Sequence, residues 1–184
     1  MKKLLLVLVI IIIIVGGYVW STYNKLITAN ESVDNQWAQV ESQYQRRFDL
    51  IPNLVESVKG IMNQEQQVFG DIAEARTRYA GANTVSEKAE AATEVESALA
   101  RLLVVMENYP ELKSAENVQT LMAQLEGTEN RISVERKRYN DEVKNFNVLI
   151  KRIPTNIIAK MLGYTDKTYF EAVEGSENAP QVQF

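Results

Sequence analysis

The stretch LLLVLVIIIIIVGGYVW, residues 4–20, decides how the rest of the chain is interpreted. It carries no charge, and two lysines precede it. At ~1.5 Å per helical residue the stretch covers about 25 Å, most of a hydrocarbon core roughly 30 Å thick. Trp20 and Tyr23 supply the aromatic rings that are typical of a membrane interface. The pattern predicts one membrane-spanning anchor over residues 1–22, bound to membrane lipid.

A cleaved signal peptide is the alternative, because two lysines before an apolar run also describe one. However, no convincing small-x-small site follows the run, and no cysteine is present for lipid attachment. A retained anchor is therefore favoured. Two lysines lie before the stretch and only Lys25 lies close behind it. The positive-inside rule therefore places the N-terminus in the cytoplasm and the rest of the chain outside.

Composition excludes most catalytic and metal-binding chemistry. The 184 residues include no cysteine and no histidine, which excludes thiol nucleophiles, imidazole bases, Cys/His zinc sites and Glu-x-x-His iron sites. The net charge of -4 and the pI of about 5.1 argue against a nucleic-acid partner. Glu129 and Arg136 are expected to pair with other helices, and no second carboxylate can be placed beside Glu129 for catalysis. We expect no enzymatic activity, no cofactor and no metal.

Beyond the anchor, apolar residues recur every three or four positions, as in helices that bury one face. These stripes run over residues 26–48, 50–72, 92–109 and 118–150. AGANT at residues 80–84 and NYPELK at residues 108–113 break the pattern. Thr84 and Glu87 fit a capping box that opens the third helix. The sequence predicts an all-α protein in which an up-and-down antiparallel four-helix bundle follows the anchor.

Three residues within the stripes carry further structural expectations. Asn30 lies in the first stripe, where a buried amide that fixes helix register is expected. Trp37 lies in the same stripe and is expected to be largely buried. Gly127 lies within the fourth helix and is the expected position of a bend or break, because glycine weakens helix interiors.

RRFDLIPN, residues 46–53, is predicted to form the corner between the first two helices. Arg46 and Arg47 suit a helix C-terminus, where cations complement the helix dipole. Asp49 suits the N-cap of the next helix, and Pro52 is tolerated in its first turn. A simple helix corner is therefore the preferred interpretation of these residues taken alone.

In an up-and-down bundle the first and third connections share one end, here the end far from the membrane. The corner at 46–53 and the NYPELK segment would then form one polar surface. Internal salt bridges and a partner-binding surface are equally open, since exposed ion pairs are common and individually weak. The residues of this candidate interaction surface are Arg46, Arg47, Asp49, Asn53, Glu107, Tyr109 and Lys113.

Three motifs in this order resemble the LemA family of bacterial membrane proteins: RRFDLIPNLV at 46–55, ENYPELKS at 107–114 and LEGTENRISVERKRYNDEV at 125–143. The resemblance extends from the anchor, with YNKLI at 23–27, to the PQVQF tail. It implies a single-span anchor in the bacterial cytoplasmic membrane, a helical bundle, no enzymatic activity and an undefined molecular role. It also implies a proposed topology with the N-terminus outside, which the flanking lysines of this chain do not support.

IPTNIIAKMLGYTDKTYF, residues 153–170, follows a fourth helix that returns toward the membrane. A short apolar element flanked by cations suits the headgroup region. It also suits the open end of the bundle, and we favour this second position. The candidate membrane-surface contacts are Lys151, Arg152, Ile157, Ile158, Met161 and Leu162. The predicted domains are the anchor (1–22), the bundle (23–153), a short amphipathic segment (154–173) and a flexible tail (174–184).

We therefore expect a membrane-anchored helical bundle that acts by binding. It would serve as a scaffold or adaptor for an envelope protein that the sequence does not identify, or associate with copies of itself. The alternative is a lipid-binding or membrane-shaping protein, which vesicle binding by the 153–170 segment alone would favour.

Overall fold

The structure, a computed structural model, describes residues 2–62 and 65–170, and leaves out the side chain of Lys113. All regular secondary structure in these ranges is helical, and the predicted class is confirmed: a long apolar N-terminal helix and an up-and-down antiparallel bundle. The predicted tail (174–184) and the last residues of the 154–173 segment lie outside the described residues. The helices are α1 (Lys2–Lys59), α2 (Gln66–Gly81), α3 (Val85–Met106), α4 (Pro110–Ser114), α5 (Glu116–Lys151) and α6 (Thr155–Met161).

The chain divides into two compact units. The first contains Met1–Gln39 and Lys137–Tyr169, and therefore the apolar start of α1, the end of α5, and α6. The second contains Val40–Arg136, and therefore the end of α1, all of α2 to α4, and the first part of α5.

The predicted corner at 46–53 is wrong, because α1 continues through it and ends only at Lys59. Proline inside a helix costs about 3 kcal/mol, since it removes a hydrogen bond and crowds the preceding turn. Burial on one face offsets this cost in the second unit, where Ile51, Leu54 and Val58 are fully buried. Their spacing continues the first stripe without interruption, and this signal outweighs the local preference of proline.

The breaks predicted at residues 80–84 and 108–113 are confirmed, whereas the break expected at Gly127 is not found. α3 begins with the expected capping box: the Glu87 amide donates to the Thr84 hydroxyl at 3.2 Å, and the Thr84 amide donates to the Glu87 carboxylate at 3.1 Å. α3 ends at Met106, and Pro110 is the first residue of α4. α5 is continuous through Gly127, so the helix does not break there.

In the first unit, the segment after α6 is fastened to α5 and α1. The Asn147 side chain donates to the Lys167 carbonyl at 2.9 Å and accepts from the Lys167 amide at 2.8 Å. The Tyr139 hydroxyl donates to the Thr168 carbonyl at 3.2 Å. The Lys167 ammonium forms an ion pair with Asp34 of α1 at 2.7 Å. The side chains of Asn147, Tyr139 and Asp34 therefore hold residues 167 and 168 in place.

Two expectations for the first stripe concern this unit, and the one for Asn30 is corrected. Asn30 is only partly buried, and its amide donates to Asp34 one turn later on the same helix at 2.9 Å. It does not fix the register between helices. Most of Trp37 is buried, as expected, and its ring packs edge-to-face with Tyr139, with the ring centroids 5.6 Å apart.

Candidate functional site

Arg47 is the largest fully buried side chain of the second unit, with 2 % of its surface exposed. Its guanidinium forms an ion pair with Glu129 of α5. Burial lowers the pKa of Arg47, while the nearby Glu96 carboxylate and Tyr44 act in the opposite direction. Because an arginine stays protonated in proteins, α1 carries a positive charge inside the second unit at neutral pH.

A second guanidinium lies beside the first. Arg136 of α5 donates from Nε to the Tyr44 hydroxyl at 2.9 Å, and its Nη2 lies 3.7 Å from a Glu96 carboxylate oxygen. Burial raises the pKa of Tyr44, so this hydroxyl stays neutral well beyond physiological pH. Glu129 and Arg136 thus pair with other helices, as predicted. Together with Arg47, they connect α1, α3 and α5 through ion pairs and a hydrogen bond, in addition to apolar contacts.

A groove of about 720 Å³ lies beside this cluster in the second unit. Its size is within the range of typical ligand sites. Arg47 lines it, and the Nη1 atom of Arg47 has no hydrogen-bond partner among the described residues. Its apolar lining consists of Leu99, Ala100, Leu103 and Met106 of α3, and Val118, Met122, Ala123 and Leu125 of α5.

The charged residues around this groove are mostly acidic. Apart from Arg47, the charged lining residues are Glu96, Glu107, Glu126 and Glu129. Glu96 pairs with Arg136, and Glu129 pairs with Arg47. The groove therefore combines an apolar interior with a net negative rim.

Among the described side chains of the predicted interaction surface, Arg47 and Glu107 line this groove. Arg46, Asp49 and Asn53 are exposed on α1. The Asp49 carboxylate accepts a hydrogen bond from Gln45 at 2.8 Å instead of capping a helix. They lie about two to four turns before the end of α1, so they do not form a corner.

Of the remaining two residues of that set, Tyr109 directly precedes α4 and Lys113 is the fourth of its five residues. Tyr109 is half-buried at the N-cap position, and the side chain of Lys113 lies outside the description. A binding role for the residues of this set stays a prediction.

Sequence reasoning missed the groove, although a signal was present. α3 carries Leu99 and Leu103 beside its core residues Leu102 and Met106. This gives α3 a wider apolar face than one buried stripe requires. Such an excess indicates a second apolar contact, but it does not say what makes that contact.

In the first unit, α6 lies beside α1. The Thr155 hydroxyl is 3.5 Å from the Tyr18 hydroxyl. Ile157, Met161 and Leu162 are exposed, so our favoured position for them, covering the end of the bundle, is wrong.

The other candidate membrane-surface contacts differ from one another in exposure. Ile158 is half-buried, and Arg152 is exposed. Lys151 is also exposed and forms an ion pair with Asp166 at 2.7 Å. Contact of these residues with lipid stays a prediction.

Among the described residues, no three Asp, Glu, His or Cys side chains come together in a way that could hold a metal ion. The expectations that the protein has no cofactor and no enzymatic activity stay predictions.

The fold defines a class: an all-helical protein whose N-terminal helix is long and apolar enough to cross a membrane. The comparison with known families then identifies the group. Residues 36–184 match the LemA family, and the chain belongs to this family. The resemblance inferred from three motifs is thereby confirmed.

Named relatives include magnetosome proteins. MamQ 1 and MamQ 2 of Paramagnetospirillum magneticum are each 25 % identical to this chain over 175 residues, which cover 81 % of this chain and 64 % of theirs. Protein LemA of Metamycoplasma hominis is 22 % identical over 152 residues, which cover 82 % of this chain and 69 % of that protein. The chain therefore spans less than two thirds of the length of the two MamQ proteins. The family and the N-terminal helix are consistent with a single-pass membrane protein.

Proposed function

We propose that this protein is a membrane-anchored adaptor of the bacterial cell envelope. α1 would hold it in the cytoplasmic membrane, and the groove between α3 and α5 would bind an apolar helix of a partner protein. The observation that carries this proposal is the open apolar groove, because its lining residues would otherwise leave apolar surface in contact with water.

The partner segment should be an amphipathic helix with basic flanks. Helices bind in grooves through apolar residues spaced by three or four positions, and charge on the rim selects the partner and speeds the encounter. The four glutamates at this groove favour lysine or arginine beside the apolar face. Met106 and Met122 supply flexible side chains that adapt to different apolar surfaces.

The Nη1 atom of Arg47, which is buried without a hydrogen-bond partner among the described residues, adds a second recognition feature. A buried donor without a partner is costly, and a backbone carbonyl at the end of a bound helix would satisfy it. This contact would set how far the partner helix extends into the groove.

Peptide binding to the full chain in nanodiscs of neutral lipid tests this proposal. The probes are a Leu/Lys amphipathic helical peptide and a Leu/Glu peptide with the same apolar face, with empty nanodiscs subtracted. Leu103→Asp places a charge in the groove, whereas its control, Val104→Asp, changes a neighbour that is 66 % exposed and outside the lining. We expect Leu103→Asp to weaken Leu/Lys binding roughly tenfold or more, the equivalent of about 1.4 kcal/mol.

Equal binding to both variants would show that the groove is not the site. Equal affinity for the two peptides would show that the acidic rim does not select the partner. In cells, a photocrosslinking residue at position 103, with position 104 as control, would capture the occupant. A crosslinked dimer of this chain would identify a second copy in place of a separate adaptor partner.

A further inference from the structure

We infer that α6 is an interfacial helix whose outward face lies in the headgroup region of the membrane that α1 spans, with anionic phospholipid as its ligand. This inference concerns the first unit and is independent of the groove in the second. It rests on the proposed membrane insertion of α1.

The depth of α6 follows from its contact with α1. Thr155, the first residue of α6, has its hydroxyl 3.5 Å from that of Tyr18. Tyr18 belongs to the uncharged stretch 4–20 and lies in its last turn. If this stretch spans the hydrocarbon core, α6 lies where the core meets the headgroups.

The two faces of α6 differ in exposure. Ala159 lies one turn after Thr155, on the same side of the helix, and is buried. Ile157 is about 200° around the helix from Thr155 and thus points away from α1. Ile157 is 59 % exposed, and Met161, one turn later on the same side, is 82 % exposed. The outward face is therefore apolar.

This face continues before and after the helix. Ile153, two residues before α6, is 84 % exposed, and Leu162, directly after it, is also exposed. The apolar surface of α1 over residues 4–15 is likewise exposed, as expected for a segment surrounded by lipid. Because α6 lies beside the end of this lipid-facing surface, lipid is the occupant that best explains its exposed side chains.

The helix is held in this orientation by the chain that follows it. Gly163 adopts a φ of +77°, a conformation that favours glycine, and reverses the chain after α6. The next residues are fixed by Asn147, which makes two hydrogen bonds with Lys167, and by the ion pair of Lys151 with Asp166. The exposed face is thus part of an anchored element and not a frayed end.

The cations next to α6 are complementary in charge to anionic headgroups. A second groove, of about 740 Å³, lies between α1 and α5 in the first unit. Its charged lining residues are three cations, Lys25, Lys144 and Arg152, and one carboxylate, Glu142. Lysine and arginine near a membrane surface attract anionic lipid, and their N–H groups donate to phosphate oxygens. α6 itself adds Lys160 beside its apolar face.

Depth-dependent fluorescence quenching of the full chain in nanodiscs tests the position of α6. The chain contains no cysteine, so single cysteines can be labelled without background. The label is placed at Met161→Cys, with Val19→Cys as the membrane control. Asn35→Cys is the aqueous control, because it is exposed on α1 about 22 Å beyond Trp20. The quencher is a lipid with a spin label near the top of its acyl chain.

We expect quenching at Met161 comparable to that at Val19, and only background quenching at Asn35. Strong quenching at Val19 with background at Met161 would overturn the inference and leave the membrane anchor intact. Background quenching at both positions would overturn the anchor and the inference together. An apolar environment at Met161 without quenching would also overturn the inference, because a protein surface would then cover α6.

The lipid selectivity of the protein tests the role inferred for the cations near α6. The fraction of spin-labelled phosphatidylglycerol immobilised by the protein is compared with that of phosphatidylcholine. We expect Lys144→Gln/Arg152→Gln to reduce the preference for phosphatidylglycerol at least severalfold. Lys59→Gln/Arg131→Gln, which changes the net charge equally in the second unit, should retain it. An equal loss in both variants, or no preference in the wild type, would overturn the assignment of anionic lipid.

Discussion

Arg47 carries a permanent charge at a position that helix packing usually reserves for an apolar side chain. The cost of burying it is reduced by Glu129 and Glu96, which lie on two other helices. Arg136 shares Glu96 and Tyr44 with this cluster. Such a network stabilises one arrangement of α1, α3 and α5, because a shifted helix would leave a charge buried without a partner.

The first prediction concerns this residue. Arg47→Ala should destabilise the full chain by about 3 kcal/mol or more, because it leaves Glu129 without its cation, removes a charge near Glu96 and creates a cavity. Arg46→Ala removes an exposed neighbour on the same helix and should change stability by less than about 0.5 kcal/mol. Chemical unfolding in detergent micelles, followed by circular dichroism, measures both values. Similar values for the two variants would show that Arg47 is exposed in solution.

At the scale of single helices, the start of α3 is fixed by side-chain hydrogen bonds that can be predicted from the sequence. The capping box of Thr84 and Glu87 satisfies two amides that the first turn leaves without partners. Hydrogen bonds from the amides of Asn83 and Thr84 lower the pKa of Glu87, because they stabilise its charged form.

The second prediction is that Thr84→Ala destabilises the protein by about 1 kcal/mol at neutral pH, as loss of an N-cap does. The contribution of Glu87 should depend on pH. Since the folded state has the lower pKa, this contribution is present above the unfolded pKa of about 4.3 and is lost as the pH falls through the folded value. The stability difference between wild type and Glu87→Ala should therefore be largest at neutral pH and vanish in acid. A difference that grows toward low pH would contradict the assignment.

Two glycines provide the third prediction. Gly127 lies inside α5, and an added methyl group would meet no atom within 4 Å. Gly127→Ala should therefore stabilise the protein by about 1 kcal/mol, because alanine favours the helix. Gly163→Ala should destabilise it by a similar amount, since its φ of +77° strains any residue with a side chain. Thermal unfolding distinguishes the two signs, and destabilisation by Gly127→Ala would indicate that the helix needs flexibility at this position.

The elements that could be predicted are those whose signals are local. The apolar stretch at residues 4–20, the break at 80–84 and the capping box of α3 each depend on neighbouring residues only. The fate of Pro52 depends on distant packing, because the burial of Ile51 and Leu54 decides it. The local preference of proline predicted a corner there, and this prediction was wrong.

The same distinction explains the candidate site. Pairing by Glu129 and Arg136 could be predicted because charges on an otherwise apolar face need partners. The groove could not, since it arises from the spacing of α3 and α5, which no single helix determines. Arg47 was selected from its motif, but its burial follows from the continuation of α1.

At the scale of the whole molecule, two sets of cations bear on the proposed orientation of α1 in the membrane. Lys2 and Lys3 precede the apolar stretch, and only Lys25 lies close behind it. Folding then brings further cations from the end of α5 and from α6 into the unit that contains the apolar stretch. Insertion of α1 is governed by the charges that flank it when it is synthesised, before these later residues exist. We therefore propose that the N-terminus stays in the cytoplasm and the second unit lies outside.

The last prediction tests this orientation with Asn83→Cys, an exposed position between α2 and α3. A maleimide reagent that cannot cross membranes should label this cysteine in intact spheroplasts as completely as after lysis. The wild-type chain has no cysteine and supplies the background. Labelling only after lysis would mean that the N-terminus faces outward. The cations beside α6 would then lie at the cytoplasmic surface, where anionic lipid and the positive-inside rule both favour them. In that case, the charges that fold back late, and not the first two lysines, would decide the topology of this protein.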